Sequence, residues 1–267
     1  AYGLLLDFHR QSGRAGPTGN EARNANPFAT TRTRFTTLVV RELLDLWHNP
    51  RARLLASVPF VLAILLKLLS GRDLFVYFLG RTADAWVLGG LCLYGAIVIA
   101  STFSQNTFAY DGHGFLVFLS APVDLGQVLE AKNLVHAFAA ALLSVLVGAF
   151  YVIYFGHGTA LDIACAFAGV AALVPVLLAA GNFLSLYFQV KFHANLKRRD
   201  KLPFAASMLG VLAASIGGAP YGFALRQAAK DGPSALTLFT IAGSAVVAWG
   251  VWWLLMPLAI KLLVKRR

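Results

Sequence analysis

Long uncharged apolar runs alternate with short polar segments along most of the chain. Residues 85–110, 133–161, 163–190, 202–225 and 232–260 contain no Asp, Glu, Lys or Arg. Each is at least as long as the roughly 20 residues a helix needs to cross a hydrocarbon core of about 30 Å. A further uncharged run covers 54–66, and it extends to Leu69 if Lys67 carries its ammonium along its alkyl stem to the interface. The pattern predicts an all-α membrane protein with six transmembrane helices.

The polar segments predict how those helices are joined. Across 35–48, Phe35, Leu38, Val39, Leu43, Leu46 and Trp47 oppose Thr37, Arg41, Asp45 and His48 at helical spacing. This is the pattern of an amphipathic helix lying in a membrane interface, ended by Asn49-Pro50. Residues 70–84 read as a short outer loop. The segment 105–133 reads as a water-facing loop with a tight turn at Asp111-Gly112-His113-Gly114 and a short amphipathic helix over 123–132. Gly156-His157-Gly158 predicts another tight turn, and Pro175 a kink in the fourth span. In the fifth, Gly217, Gly218, Pro220 and Gly222 predict a break in its outer part. Gly89, Gly90 and Gly95 in the second span predict close approach of a neighbouring helix.

Composition agrees with the pattern: 58% of residues are hydrophobic and 13% charged, against about 25% charged in a soluble domain. The net charge of +11 at first suggests nucleic acid. Its distribution points elsewhere. Of 23 Lys and Arg, 8 fall in 1–53, 5 in 191–201 and 4 from Lys261 onward. The positive-inside rule then places both termini and the 105–133 loop in the cytoplasm, and the basic clusters become topology anchors at anionic headgroups, with no nucleic-acid partner. Cys92 and Cys165 fall inside apolar runs and read as packing residues.

Three kinds of chemistry fit parts of this pattern. His113, His136, Asp111 and Glu130 lie on or beside one loop, which leaves open a membrane-embedded enzyme using 105–136. The sequence has no HExxH pattern, no Gly-x-Ser-x-Gly elbow and no Walker phosphate loop, and no cofactor or metal is expected. An ion-coupled secondary transporter is the second alternative. Such carriers place carboxylates or broken helices near the bilayer midplane, whereas all 12 acidic residues lie outside the long runs and Asp162 comes closest to one. A backbone cation site at 217–222 stays open.

The third reading comes from the order of features: Arg41-Glu42-Leu43 to Pro50-Arg51, then 106–114, Pro122, Lys132-Asn133-Leu134, and Gly181-Asn182 with Ser185. Over about 36–267 the chain resembles the transmembrane, or permease, half of type-2 ATP-binding-cassette exporters. The resemblance implies that 35–50 is an elbow helix on the cytoplasmic leaflet, carrying Arg41, Glu42, Asp45 and Trp47. It also implies that 105–133 couples to a separate cytoplasmic ATPase through Asp111, Gly112, Gly114, Pro122, Asp124, Glu130, Lys132 and Asn133. Gly217, Gly218, Pro220 and Gly222 would form the outer break, within a six-helix domain over 51–267. A second six-helix unit, from another copy or an upstream half, would complete the substrate pathway in the plasma (inner) membrane. Residues 1–34 match nothing in that unit and are expected to be a cytoplasmic linker following an earlier half.

Overall fold

The computed structural model describes residues 34–79, 82–102, 124–156, 158–188 and 203–265. Among them are seven helices and no strand: α1 Arg34–His48, α2 Pro50–Leu79, α3 Ala83–Thr102, α4 Leu125–Phe155, α5 Ala160–Tyr187, α6 Phe204–Gln227 and α7 Ala235–Lys265. Five of these, α3 to α7, are long and apolar enough to cross a membrane, and the bent pair α1 and α2 raises the number to six if it forms one span. The chain is a multi-pass helical membrane protein.

The ends of the helices follow from local chemistry. Asn49-Pro50 separates α1 from α2, and the helical stretches on either side are bent by 63°, because the residue before proline disfavours helix while proline suits a first turn. Asp124 caps α4 by accepting the Gly126 amide at 2.9 Å. At the other end Gly156 adopts φ 70° and its N–H returns to the Val152 carbonyl, the left-handed cap that glycine adopts without a Cβ penalty. A capping box starts α5, with Thr159 and Asp162 each accepting the other's backbone N–H. The Asp162 carboxylate, which separates two charge-free runs, is thereby occupied in closing a helix end.

Helix α5 is the centre of the bundle, packed against α7, α3, α6 and α4. Its sequence is apolar all round, as a helix buried among others must be. Leu88, Leu91 and Cys92 of α3, Leu143 and Val147 of α4, and Leu173 and Leu177 of α5 form the main core. A second cluster joins Leu125, Val128 and Leu129 of α4 to Leu186, Met256 and Leu263, with Leu38 of α1 packed on it.

Several expectations are corrected. The outer loop over 70–84 is largely helix, because α2 continues to Leu79 and α3 begins at Ala83. The short helix over 123–132 is not a separate element. It forms the first turns of α4, whose 31 residues run unbroken from Leu125, since nothing between Lys132 and Leu134 interrupts helix and Asp124 supplies the start.

Nor does the backbone break at Gly217, Gly218, Pro220 and Gly222, which all lie inside continuous α6. Packing explains why. The Tyr221 ring lies against Gly89 and Gly169, and its hydroxyl donates to the Ala85 carbonyl. A Cβ on Gly217 would stand 2.7 Å from Leu173 Cδ1, and one on Gly222 would stand 3.4 Å from the Trp86 ring. These glycines let helices approach closely, and the neighbours hold α6 helical across the hydrogen bond that Pro220 cannot make. Of the predicted α3 glycines, Gly89 and Gly95 meet neighbours while Gly90 faces open space.

Candidate functional site

Helix α1 is fastened to the first turns of α4 by a buried ion pair. Lys132 Nζ donates to Glu42 Oε2 at 2.7 Å, with the two side chains 2% and 10% exposed. Helical spacing puts Lys132 on the same side of α4 as Leu125, Val128 and Leu129, which pack the apolar flank of α1 through Leu38. On α1, Arg41 lies 3.9 Å from Glu42 Oε1 and 3.6 Å from Asp45 Oδ2, so charge alternates along Asp45, Arg41, Glu42 and Lys132. The outer pairs are partly solvated and worth about 0.2–1 kcal/mol each. The inner pair is different, because removing one partner from a buried pair costs roughly 3–5 kcal/mol.

Next to Lys132 is a knot of uncharged polar groups. Asn133 Nδ2 of α4 lies 3.5 Å and Asn182 Nδ2 of α5 lies 3.8 Å from the same sulfur, Met256 Sδ of α7. Ser185 Oγ donates to the Asn182 carbonyl at 3.0 Å. Thioether sulfur is a weak acceptor. The Oδ1 atoms of Asn133 and Asn182 and the indole Nε1 of Trp252 are buried with no hydrogen-bond partner among the described residues. His136, one turn beyond Lys132, is buried beside Ala96 and Ile99 of α3 and Leu177 of α5.

The opposite side of the same α4 turns is exposed. Asp124, Gln127 and Glu130 face outward while Val128, Leu129, Ala131, Lys132 and Asn133 are buried. One short stretch thus presents an acidic, polar stripe outward and an ion pair and amide inward. Its inward face contacts α1 through Glu42 and α7 through Met256.

The structure brings together Glu42 and Lys132, which sequence reading assigned to two separate features, and adds Met256 and Trp252, which no motif marks. Trp47 is 71% exposed on α1. Asp111, Gly112, Gly114 and Pro122 lie outside the described residues. Among the described residues no group of three or more His, Cys, Asp and Glu is placed to hold a metal. No protein-family model matches the chain, and no curated protein or solved structure is detectably similar to it.

Proposed function

We propose that the chain is a permease subunit of an ATP-binding-cassette exporter, driven by a separate cytoplasmic ATPase. The observation that carries this reading is the Glu42–Lys132 pair at 2.7 Å beneath an outward stripe of Asp124, Gln127 and Glu130. A partner pressing on that stripe moves a helix that is locked to α1 and continuous with a 31-residue span. Because α4 is one rigid rod, displacement at its first turn travels its length, about 45 Å at 1.5 Å per residue.

In this reading α1 is the elbow helix along the inner leaflet, with exposed Trp47 at headgroup level and the basic residues of 1–53 and 191–201 on the same cytoplasmic side. The substrate path lies between this unit and a second one. ATP-driven closure of the ATPase pushes the stripe, and the Lys132–Glu42 link makes α1 follow.

A photo-cross-linking amino acid at exposed Gln127 tests the reading in native membranes. Capture of a nucleotide-binding subunit is expected. Cross-links to lipid alone contradict it.

A further inference from the structure

Three helices meet at one sulfur. Asn133 Nδ2 of α4 lies 3.5 Å and Asn182 Nδ2 of α5 lies 3.8 Å from Met256 Sδ of α7, and the two asparagines are 1% and 2% exposed. Both Oδ1 atoms are buried without a hydrogen-bond partner among the described residues. Each amide therefore has its donor on a weak acceptor and its own strong acceptor unused. A direct bond between the two amides would satisfy a donor and an acceptor that cost free energy when left unmet. Helices α4 and α5 pack on each other, and both amides already reach the same atom. The group they share is a methionine side chain, unbranched and with three rotatable bonds, which swings aside easily.

Directly beyond this contact α7 has a weak point. Pro257 follows Met256 inside the helix, and it has no N–H to give the Trp253 carbonyl one turn earlier. About two turns remain after it. Ala259 and Leu263 hold them to the first turns of α4, buried with Leu125 and Leu129, and a Cβ on Gly126 would stand 3.4 Å from Ile260 Cδ1. Their other side is exposed at Leu258, Lys261 and Val264. Proline sets where a helix bends, and here it separates the sulfur contact from the apolar packing of the helix end.

We propose that α7 is hinged at Pro257 and that its last two turns have a second position, reached when Met256 withdraws and Asn133 and Asn182 hydrogen-bond to each other. In the described position the amides rest on sulfur and the end of α7 packs on α4. In the second the amide pair is gained and the packing of Ile260 and Leu263 on α4 is given up. Each position keeps a contact that the other lacks, so both are populated. The inference does not depend on the proposed function, since it concerns the end of α7 and not coupling to an ATPase.

The test is ¹⁹F NMR of the full chain in phosphatidylcholine nanodiscs, with a trifluoromethyl tag on Lys261→Cys. Cys92 and Cys165 are buried, which directs the tag to the exposed site. Wild type is expected to show two resonances. Met256→Leu removes the sulfur and is expected to raise the area of the second relative to the first about two- to tenfold, the worth of one neutral hydrogen bond. Asn182→Leu leaves Asn133 no amide to pair with and is expected to remove the second resonance, and Asn133→Leu serves as the same test from α4. One resonance in both wild type and Met256→Leu overturns the proposal. An area ratio unchanged by Met256→Leu, or a second resonance that survives in a folded Asn182→Leu or Asn133→Leu protein, also overturns it.

Discussion

Lys132 and Glu42, 90 positions apart in the chain, meet at 2.7 Å with the lysine 2% exposed. Their contact makes the amphipathic helix α1 and the long span α4 a single mechanical unit. Lys132→Met leaves the largely buried Glu42 carboxylate with only the partly solvated Arg41 at 3.9 Å and is expected to destabilise the protein by roughly 3–5 kcal/mol. Combining it with Glu42→Gln removes the stranded charge and is expected to recover much of the loss. Thermal unfolding of the detergent-solubilised variants checks both, and a double variant no more stable than the single one contradicts the pairing.

The glycines of α6 give a sharper contrast. A Cβ at Gly217 meets Leu173 Cδ1 at 2.7 Å and Leu173 Cα at 3.2 Å, whereas nothing lies within 4 Å of one at Gly218. Gly217→Ala is expected to cost about 1–3 kcal/mol through overpacking. Gly218→Ala is expected to be neutral or stabilising by up to about 1 kcal/mol, as for alanine replacing glycine inside a helix. If the segment were a non-helical break, Gly218→Ala would lose stability, and unfolding midpoints decide between them.

Met256 gives the polar knot its shared acceptor. Met256→Leu keeps the volume, a change that usually costs less than about 1.5 kcal/mol in an apolar core. Here it leaves the buried Asn133 and Asn182 amides without their sulfur, so the cost is expected to exceed that figure, at about 1–3 kcal/mol per unsatisfied amide. Pairing it with Asn133→Leu should return part of the difference, as a double-mutant cycle would report.

The outward stripe separates stability from coupling. Glu130→Lys changes an exposed residue and is expected to shift stability by no more than about 0.5 kcal/mol. If the stripe receives the ATPase, transport falls because the ATPase no longer docks on α4. Asp124→Lys is a less clean probe, because the same carboxylate caps α4 and its loss costs about 0.5–2 kcal/mol. Asp124→Asn keeps the cap and removes only the charge.

Much of the fold was legible in the sequence because burial in a bilayer leaves a coarse signal, the uncharged run, which predicted the α3 to α7 spans. The turn at Gly156 is readable from chemistry that acts within four residues, whereas the Thr159–Asp162 capping box starts α5 at Ala160, three residues before the uncharged run at 163. The α6 segment reads as a break because glycine and proline weaken a helix locally, while the contacts that hold it, Tyr221 with Gly89 and Gly169 and Gly217 with Leu173, connect distant parts of the chain. For the same reason the sequence places Glu42 and Lys132 on two separate features and does not join them. Met256 and Trp252 sit in a run whose apolar character hides a polar contact.

The most direct test is purification of the tagged wild-type chain and its Glu130→Lys variant from the native membrane, with ATPase activity measured in each eluate. The account predicts a co-purifying ATPase with the wild type and its loss from a correctly folded Glu130→Lys protein. An eluate with no ATPase in either case, or equal ATPase in both, contradicts the claim that this face of α4 receives the driving subunit.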